Sequence, residues 1–133
     1  MAAMTTNKPY MIRAIHEWIL DNDCTPYIVF MAEYPGVQVP QDFVRDGQIT
    51  LNIAPTAVRD LQLANDVVSF NARFGGVPTD IVGPVDAVMA IFAKENGQGM
   101  GFEVEMPPEP PEGGSDEDQD SAPPKRPSLK VVK

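Results

Sequence analysis

The sequence has very few of the residues that build disulfides, metal centres and nucleophilic sites. Its 133 residues include one cysteine, Cys24, and one histidine, His16. A lone cysteine excludes an internal disulfide and a cysteine-based metal cluster, and it fits a reducing compartment. A lone histidine lacks the companions that a metal or catalytic site needs.

The common motifs for catalysis and phosphate binding are also missing. No GxxxxGK[ST], GxGxxG, HExxH or GxSxG pattern occurs. GQGMGF, which begins at Gly97, lacks a preceding strand, a following helix and a lysine, so we interpret it as a helix exit. Carboxylate pairs such as Asp42 with Asp46 are typical of solvated loops. The sequence therefore predicts a binding protein without a cofactor or metal, rather than an enzyme.

Positive charge and long apolar runs are scarce as well. Acidic residues number 19 and basic residues 10, a formal net charge of -9, and residues 1–102 hold 11 acids against 6 bases. Such a body repels phosphate backbones, which disfavours nucleic acid as a partner. No apolar run is long enough to span a bilayer, and the first residues do not resemble a signal peptide. We therefore expect a soluble cytoplasmic protein with no membrane association.

Lys8–Asn22 has the pattern of a helix. Thr5, Thr6 or Asn7 can cap it, and Pro9 suits its first turn. On a helical wheel its apolar side chains cover about 200°, twice what a helix resting on its own core needs. The surplus predicts a second contact, with more of this chain or with another subunit. The apolar arc holds Tyr10, Met11, Ile12, Ala14, Ile15, Trp18 and Ile19, and Arg13, His16 and Glu17 hold the polar side.

The remainder of residues 1–105 has mostly strand patterns. Gln48–Ala54 alternates apolar and polar residues, and Tyr27–Ala32 is a short run suited to a buried strand. Pro55–Arg59 predicts a helical turn, and Val85–Lys94 predicts a second short helix that ends at Asn96-Gly97. Six or seven strands joined by short turns predict an antiparallel, mainly β body curled into a partly open barrel.

Val67–Gly76, VVSFNARFGG, is the candidate working surface. Its β-branched and aromatic residues suit a half-buried strand, and glycines close it with a turn. Small Ala72 lies between Asn71 and Arg73, and such a low point could receive a peptide. The pattern alone favours the alternative, an ordinary strand that ends in a glycine turn.

The composition changes after residue 105. Residues 106–124 are rich in proline and acid and nearly free of aliphatic side chains, which predicts a disordered linker. Residues 125–133 regain basic and apolar side chains. They are either an unimportant terminus or a short motif that docks on a partner. We therefore divide the chain into residues 1–105, a folded domain, residues 106–124, a linker, and residues 125–133, a tail.

Four stretches closely resemble the stringent starvation protein B family, whose members serve as adaptors for the ClpXP protease. They are PYMIRAIHEWILDN (9–22), DGQITLNIAP (46–55), LANDVVSFNARFGGVP (63–78) and RPSLKVVK (126–133). The resemblance implies an Sm-like, partly open β body that dimerises through its first helix. It also implies that each subunit binds the ssrA degradation tag, which marks stalled chains during ribosome rescue, and delivers it to the ClpX unfoldase.

The resemblance also implies which residues act. Two strands would line the peptide groove, with Leu51, Asn52, Ile53 and Ala54 on one and Phe70, Asn71, Ala72, Arg73, Phe74 and Gly75 on the other. The tail would dock on the zinc-binding N-terminal domain of ClpX through Leu129, Lys130, Val131 and Val132. The homodimer would form through Met11, Ile12, Ile15, Trp18 and Ile19.

Two other functions fit parts of the pattern. Sm-like barrels often bind RNA, and the family's ribosomal context makes an RNA-binding protein the main alternative. The excess of acidic residues argues against it, because Arg45 and Arg73 alone do not form a basic stripe. A purely structural dimer with a dispensable tail is the second alternative.

Overall fold

Two antiparallel sheets and one α-helix make up residues 4–107, the part of the chain that the computed structural model describes. Nearly all of the predicted linker and the whole predicted tail lie outside these residues. The elements are α1 (Lys8–Asp21), β1 (Pro26–Met31), β2 (Gln48–Asn52), β3 (Val58–Leu63), β4 (Val67–Phe74), β5 (Val77–Pro84), β6 (Val88–Ala93) and β7 (Gly99–Gly101), with single 3₁₀ turns at Gln41–Phe43 and Val85–Ala87.

The strand order leaves both sheets open. One sheet has the order β2-β1-β6-β7 and the other the order β3-β4-β5, with every neighbouring pair antiparallel. β2 and β7 are the edges of the larger sheet, and only an isolated bridge between Gln38 and Val82 adds to the outer side of β5. The prediction of a mainly β, partly open body is confirmed.

The core lies between the two sheets and is closed at one side by α1. Ile12 and Ile19 of the helix are each 1% exposed and pack with Phe30 of β1 and Ile91 of β6. The sheets approach closely at Gly83 of β5, where a Cβ atom would lie 2.4 Å from a ring carbon of Phe30. Glycine is therefore required there for packing.

The prediction of a second helix at Val85–Lys94 is wrong. Val85–Ala87 forms one 3₁₀ turn, and Val88–Ala93 is strand β6, which lies between β1 and β7. Asn96-Gly97 belongs to the β6–β7 turn, where the Gly97 N–H donates to the Ala93 carbonyl at 2.7 Å. A short apolar run fits a buried strand as well as a helix, and the adjacent strands of the sheet decide the outcome here.

Local turn chemistry accounts for the remaining boundaries. α1 ends where Asp23 takes a positive φ of 58° and the Cys24 N–H bonds to the Ile19 carbonyl. The predicted turn at Pro55 is present and is closed by the Ala57 N–H, which donates to the Ala54 carbonyl, but Val58 and Arg59 already belong to β3.

Within residues 4–107 no helix is long and apolar enough to cross a membrane.

Candidate functional site

β4 runs through the centre of the smaller sheet and places its side chains on two faces. It pairs with β5 through all eight of its residues without interruption, so its side chains alternate strictly. Phe70, Ala72 and Phe74 share the face that packs on the core, and Asn71 and Arg73 share the other face. The predicted strand and its glycine turn are confirmed, but the amide and the guanidinium do not flank Ala72 on one face.

A recess of about 290 Å³, which we call the β3–β4 recess, opens beside this strand. One wall comes from the turn before β3 and from the start of β3, and the other from β4, with Pro78 of β5 completing it. The lining residues are Pro55, Thr56, Ala57, Val58, Arg59, Asn71, Ala72, Arg73 and Pro78. Three of the predicted groove residues, Asn71, Ala72 and Arg73, therefore meet at one concave surface.

Hydrogen bonds fix the polar side chains at this recess. The Asn71 amide donates from Nδ2 to Oδ1 of Asp80 on β5 at 2.9 Å. The Arg73 guanidinium donates from Nη1 to the Gly76 carbonyl at 3.3 Å, across the glycine turn. Gly75 and Gly76 make this turn with φ values of 59° and 83°, which glycine adopts without strain.

The remaining predicted groove residues lie elsewhere. Leu51, Ile53 and Phe70 are core residues, at most 4% exposed. Asn52 fixes the backbone that leads into the recess, because its side-chain Oδ1 accepts a hydrogen bond from the Ala54 N–H at 2.9 Å. Phe74 packs against the half-exposed ring of Phe43, with the ring centroids 4.9 Å apart.

The turn and the start of β3, rather than β2, form the second wall of the recess. The sequence pattern predicts only a connecting turn at Pro55–Arg59 and gives no second wall there. The one available signal is Arg59, a cation shortly after a proline-led turn in an acidic chain.

The free edge of β2 lies just before the recess in the chain. The Ile53 N–H donates to the Pro26 carbonyl, and the Ala32 N–H donates to the Gly47 carbonyl. The backbone N–H and C=O groups of the odd-numbered residues in 47–53 therefore point toward β1. The backbone groups of Thr50 and Asn52 consequently point away from the sheet, on a side where no strand of residues 4–107 pairs with β2. Such an edge can accept an added strand.

α1 exposes an apolar surface that we call the α1 stripe, formed by Tyr10, Met11, Ala14 and Trp18. Tyr10 is 51% exposed and Trp18 44%, and Ala14 is exposed between them. Their spacing of three and four residues places them on one side of the helix. Of the predicted dimer residues, Trp18 and half-buried Met11 belong to this stripe. Ile12 and Ile19 lie in the core, and Ile15 packs against it.

Two of the three residues on the predicted polar side of α1, Arg13 and His16, face the sheets, whereas Glu17 is exposed. Arg13 donates from Nη1 to the Leu63 carbonyl at 2.8 Å, and Nε2 of His16 donates to the Ile53 carbonyl at 3.1 Å. Pro26, the residue of β1 opposite Ile53, has no N–H to offer that carbonyl, so the histidine supplies the donor. Both side chains therefore satisfy backbone groups at strand ends.

Within residues 4–107, Lys8 and Glu95 have side-chain pKa values clearly lowered from their usual range. Burial lowers the pKa of Lys8, and the Asp86 carboxylate opposes this effect only in part. The Lys8 ammonium donates to the Asp86 carbonyl at 3.3 Å and lies 5.3 Å from the ring centroid of Phe102. Hydrogen bonds from the backbone and hydroxyl of Thr25, at 2.8 and 2.7 Å, lower the pKa of Glu95.

These features define a mainly β protein of two unclosed sheets, with a recess on the smaller sheet and an apolar stripe on its helix. The family model for stringent starvation protein B matches residues 6–133, and the chain belongs to that family. A relative from Haemophilus influenzae, described as a stringent starvation protein B homolog, is 50% identical over 98 residues. That match covers 74% of this chain and 65% of the relative.

Proposed function

We propose that this protein is an adaptor that binds ssrA-tagged polypeptides and tethers them to the ClpX unfoldase, which enhances their degradation by ClpXP. The observation that carries the proposal is the β3–β4 recess, where Asn71, Ala72 and Arg73 of β4 meet. Membership of the stringent starvation protein B family supports it. The protein then acts by binding, with no catalytic step of its own.

The recess suits an extended peptide for two physical reasons. Ala72 is the smallest side chain that β4 contributes, so the backbone of a ligand can approach the strand there. The outward backbone groups of Thr50 and Asn52 offer ladder hydrogen bonds just before the recess in the chain. Main-chain bonds supply affinity in such a mode, and pockets for alternate side chains supply specificity.

The α1 stripe supports self-association as a homodimer. Tyr10 and Trp18 are large aromatic residues that are about half exposed on a helix whose other face is already covered. Aromatic residues are enriched at interfaces, and burial against a second copy would remove this apolar area from water. A dimer would hold two recesses and two tails.

In this proposal the tail at Leu129–Val132 brings the bound substrate to the unfoldase. A tether converts the meeting of substrate and unfoldase into an intramolecular event, with an effective concentration on the order of mM for a short flexible linker. Avidity then rises roughly 10²-fold or more without any new contact. The docking partner would be the N-terminal zinc-binding domain of ClpX.

Fluorescence anisotropy with a labelled ssrA peptide and with a short single-stranded RNA tests this function. We expect saturable binding of the peptide and negligible binding of the RNA, because the body is acidic. Tight RNA binding without peptide binding would replace the adaptor function by an RNA-binding one.

A further inference from the structure

The β3–β4 recess is lined by basic side chains, although the protein as a whole is acidic. Arg59 and Arg73, two of the six basic residues in residues 1–102, both line it, and no acidic side chain does. Both arginines are exposed. Within residues 4–107, Arg59 makes no side-chain hydrogen bond, and Arg73 bonds only to the Gly76 carbonyl. Most of the donor capacity of two guanidinium groups is therefore directed at solvent or a ligand.

Asp80, a carboxylate on the outer strand of the same sheet, is already hydrogen-bonded. Arg59, Asn71 and Asp80 occupy one cross-strand row, on β3, β4 and β5 in that order. Two strand spacings, about 10 Å, separate the positions of Arg59 and Asp80. Asp80 accepts the Asn71 amide instead of an arginine. Asp80 thus pairs with an amide rather than with an arginine, and neither it nor exposed Asp60, which follows Arg59, lines the recess.

We propose that Arg59 and Arg73 form a carboxylate-binding subsite that selects acidic side chains of the bound peptide. This inference rests on the peptide-binding function proposed above. A guanidinium offers parallel N–H donors that match the two oxygens of a carboxylate. The recess walls at Pro55 and Pro78 displace part of the surrounding water, which strengthens such pairs relative to open surface.

An acidic peptide fits this charge pattern better than a nucleic acid does. A peptide with one or two carboxylates needs only the local positive charge of the recess. A polyphosphate strand would extend beyond it, over a body that has 11 acids against 6 bases in residues 1–102. Specificity for carboxylates would therefore come from two residues, while the rest of the surface repels longer polyanions.

The test is a double-mutant cycle between protein and peptide, using the full chain. Arg59→Gln, Arg73→Gln and the double variant are titrated with the labelled ssrA peptide and with a version whose Asp and Glu residues are replaced by Asn and Gln. Each single substitution should weaken binding of the acidic peptide about fivefold. Binding of the amide version should change less than twofold. Lys94→Gln, which removes an exposed charge outside the recess, should leave both affinities unchanged.

The outcomes separate this subsite from the function on which it rests. If the unaltered protein binds neither peptide, the adaptor function itself is refuted. If it binds both peptides equally, or if the arginine variants weaken both to the same extent, peptide binding stands and the subsite is refuted. Short RNA that binds the unaltered protein and is released by Arg59→Gln would also overturn the proposal, because the arginines would then recognise phosphate.

Discussion

Single side chains decide where a ligand can lie on this protein. Ala72 keeps the β3–β4 recess open, and Asn71 and Arg73 line the recess from the other face of the strand. Lys8 is held in a different way: its ammonium lies over the Phe102 ring and donates to the Asp86 carbonyl.

Ala72→Gln should abolish peptide binding, because the longer side chain occupies the space that a ligand needs. We expect at least a tenfold loss of affinity for the ssrA peptide, about 1.4 kcal/mol, with an unchanged circular dichroism spectrum. Thr79→Gln is the matched control, since Thr79 is the cross-strand neighbour of Ala72 but does not line the recess. Retained affinity in Ala72→Gln would place the binding site elsewhere.

The lowered pKa of Lys8 predicts a pH-dependent stability difference between the protein and Lys8→Met. At pH values below the lowered pKa, Lys8 is charged in the folded and unfolded states, and burial of the charge costs stability in full. Between that pKa and 10.5 the unfolded state binds more protons than the folded state. The unaltered protein should therefore gain stability relative to Lys8→Met as the pH rises through this window.

Urea unfolding of both proteins at a series of alkaline pH values measures this difference. Lys94→Met serves as the control for the loss of one exposed positive charge. A stability difference between the protein and Lys8→Met that stays constant, or shifts in favour of the variant as pH rises, contradicts the assignment.

At the scale of elements, one face of α1 attaches the helix to the sheets, and the other face is exposed and apolar. Ile12 and Ile19 anchor it in the core, and Arg13 and His16 fasten it to the ends of β3 and β2. In the α1 stripe, Tyr10 contacts the Arg13 guanidinium, 4.7 Å from its ring centroid, whereas Ala14 and Trp18 are exposed. The helix can therefore associate with a partner through Ala14 and Trp18 without losing the contacts that hold it in the fold.

Ala14→Glu and Trp18→Glu should shift the proposed dimer to monomers without unfolding the chain, because both side chains are exposed. Burying an unpaired carboxylate at the interface should raise the dimer dissociation constant at least tenfold, about 1.4 kcal/mol. Light scattering coupled to size exclusion measures the mass. Val77→Glu is the control, an exposed apolar residue away from α1. A monomeric unaltered protein at tens of micromolar would refute the dimer.

At the scale of the whole molecule, the proposed mechanism separates recognition from delivery. The recess lies within residues 55–78, and the tail that would dock on the unfoldase is at residues 129–132. Nothing in such a tether requires the two ends to touch, so each should tolerate loss of the other.

Deletion of Leu129–Lys133 should leave affinity for the ssrA peptide within twofold of the original value, while the enhancement of degradation by ClpXP is lost. A chain whose last five residues are scrambled controls for composition and charge. Degradation is followed with a fluorescent ssrA-tagged substrate. Enhancement that persists in both variants would refute the tether.

The sequence predicted the elements whose pattern is local. β2 alternates cleanly, α1 has a proline-led start and a broad apolar arc, and β4 ends in two glycines, so all three were found. β6 was missed because its run of apolar residues is buried by β1 and β7, which are distant in sequence. Its surroundings, and not its own residues, exclude the helix.

The recess was predicted only on its β4 side. Asn71, Ala72 and Arg73 were found, whereas Leu51 and Ile53 were assigned to the opposite wall although alternation turns both into the core. The true second wall, Pro55–Arg59, is brought to β4 by the turn that follows Ala54. That approach depends on the pairing of β3 with β4, which no single segment encodes.

The bond between His16 and the Ile53 carbonyl also has a mechanical consequence. It fastens α1, on the side away from its exposed stripe, to the residue two positions before Pro55, where the lining of the recess begins. One imidazole ring therefore links the helix directly to the chain that leads into the recess, in addition to the core contacts of Ile12 and Ile19. Because Pro26 has no N–H, the strand opposite Ile53 offers its carbonyl no donor, and this link depends on the histidine.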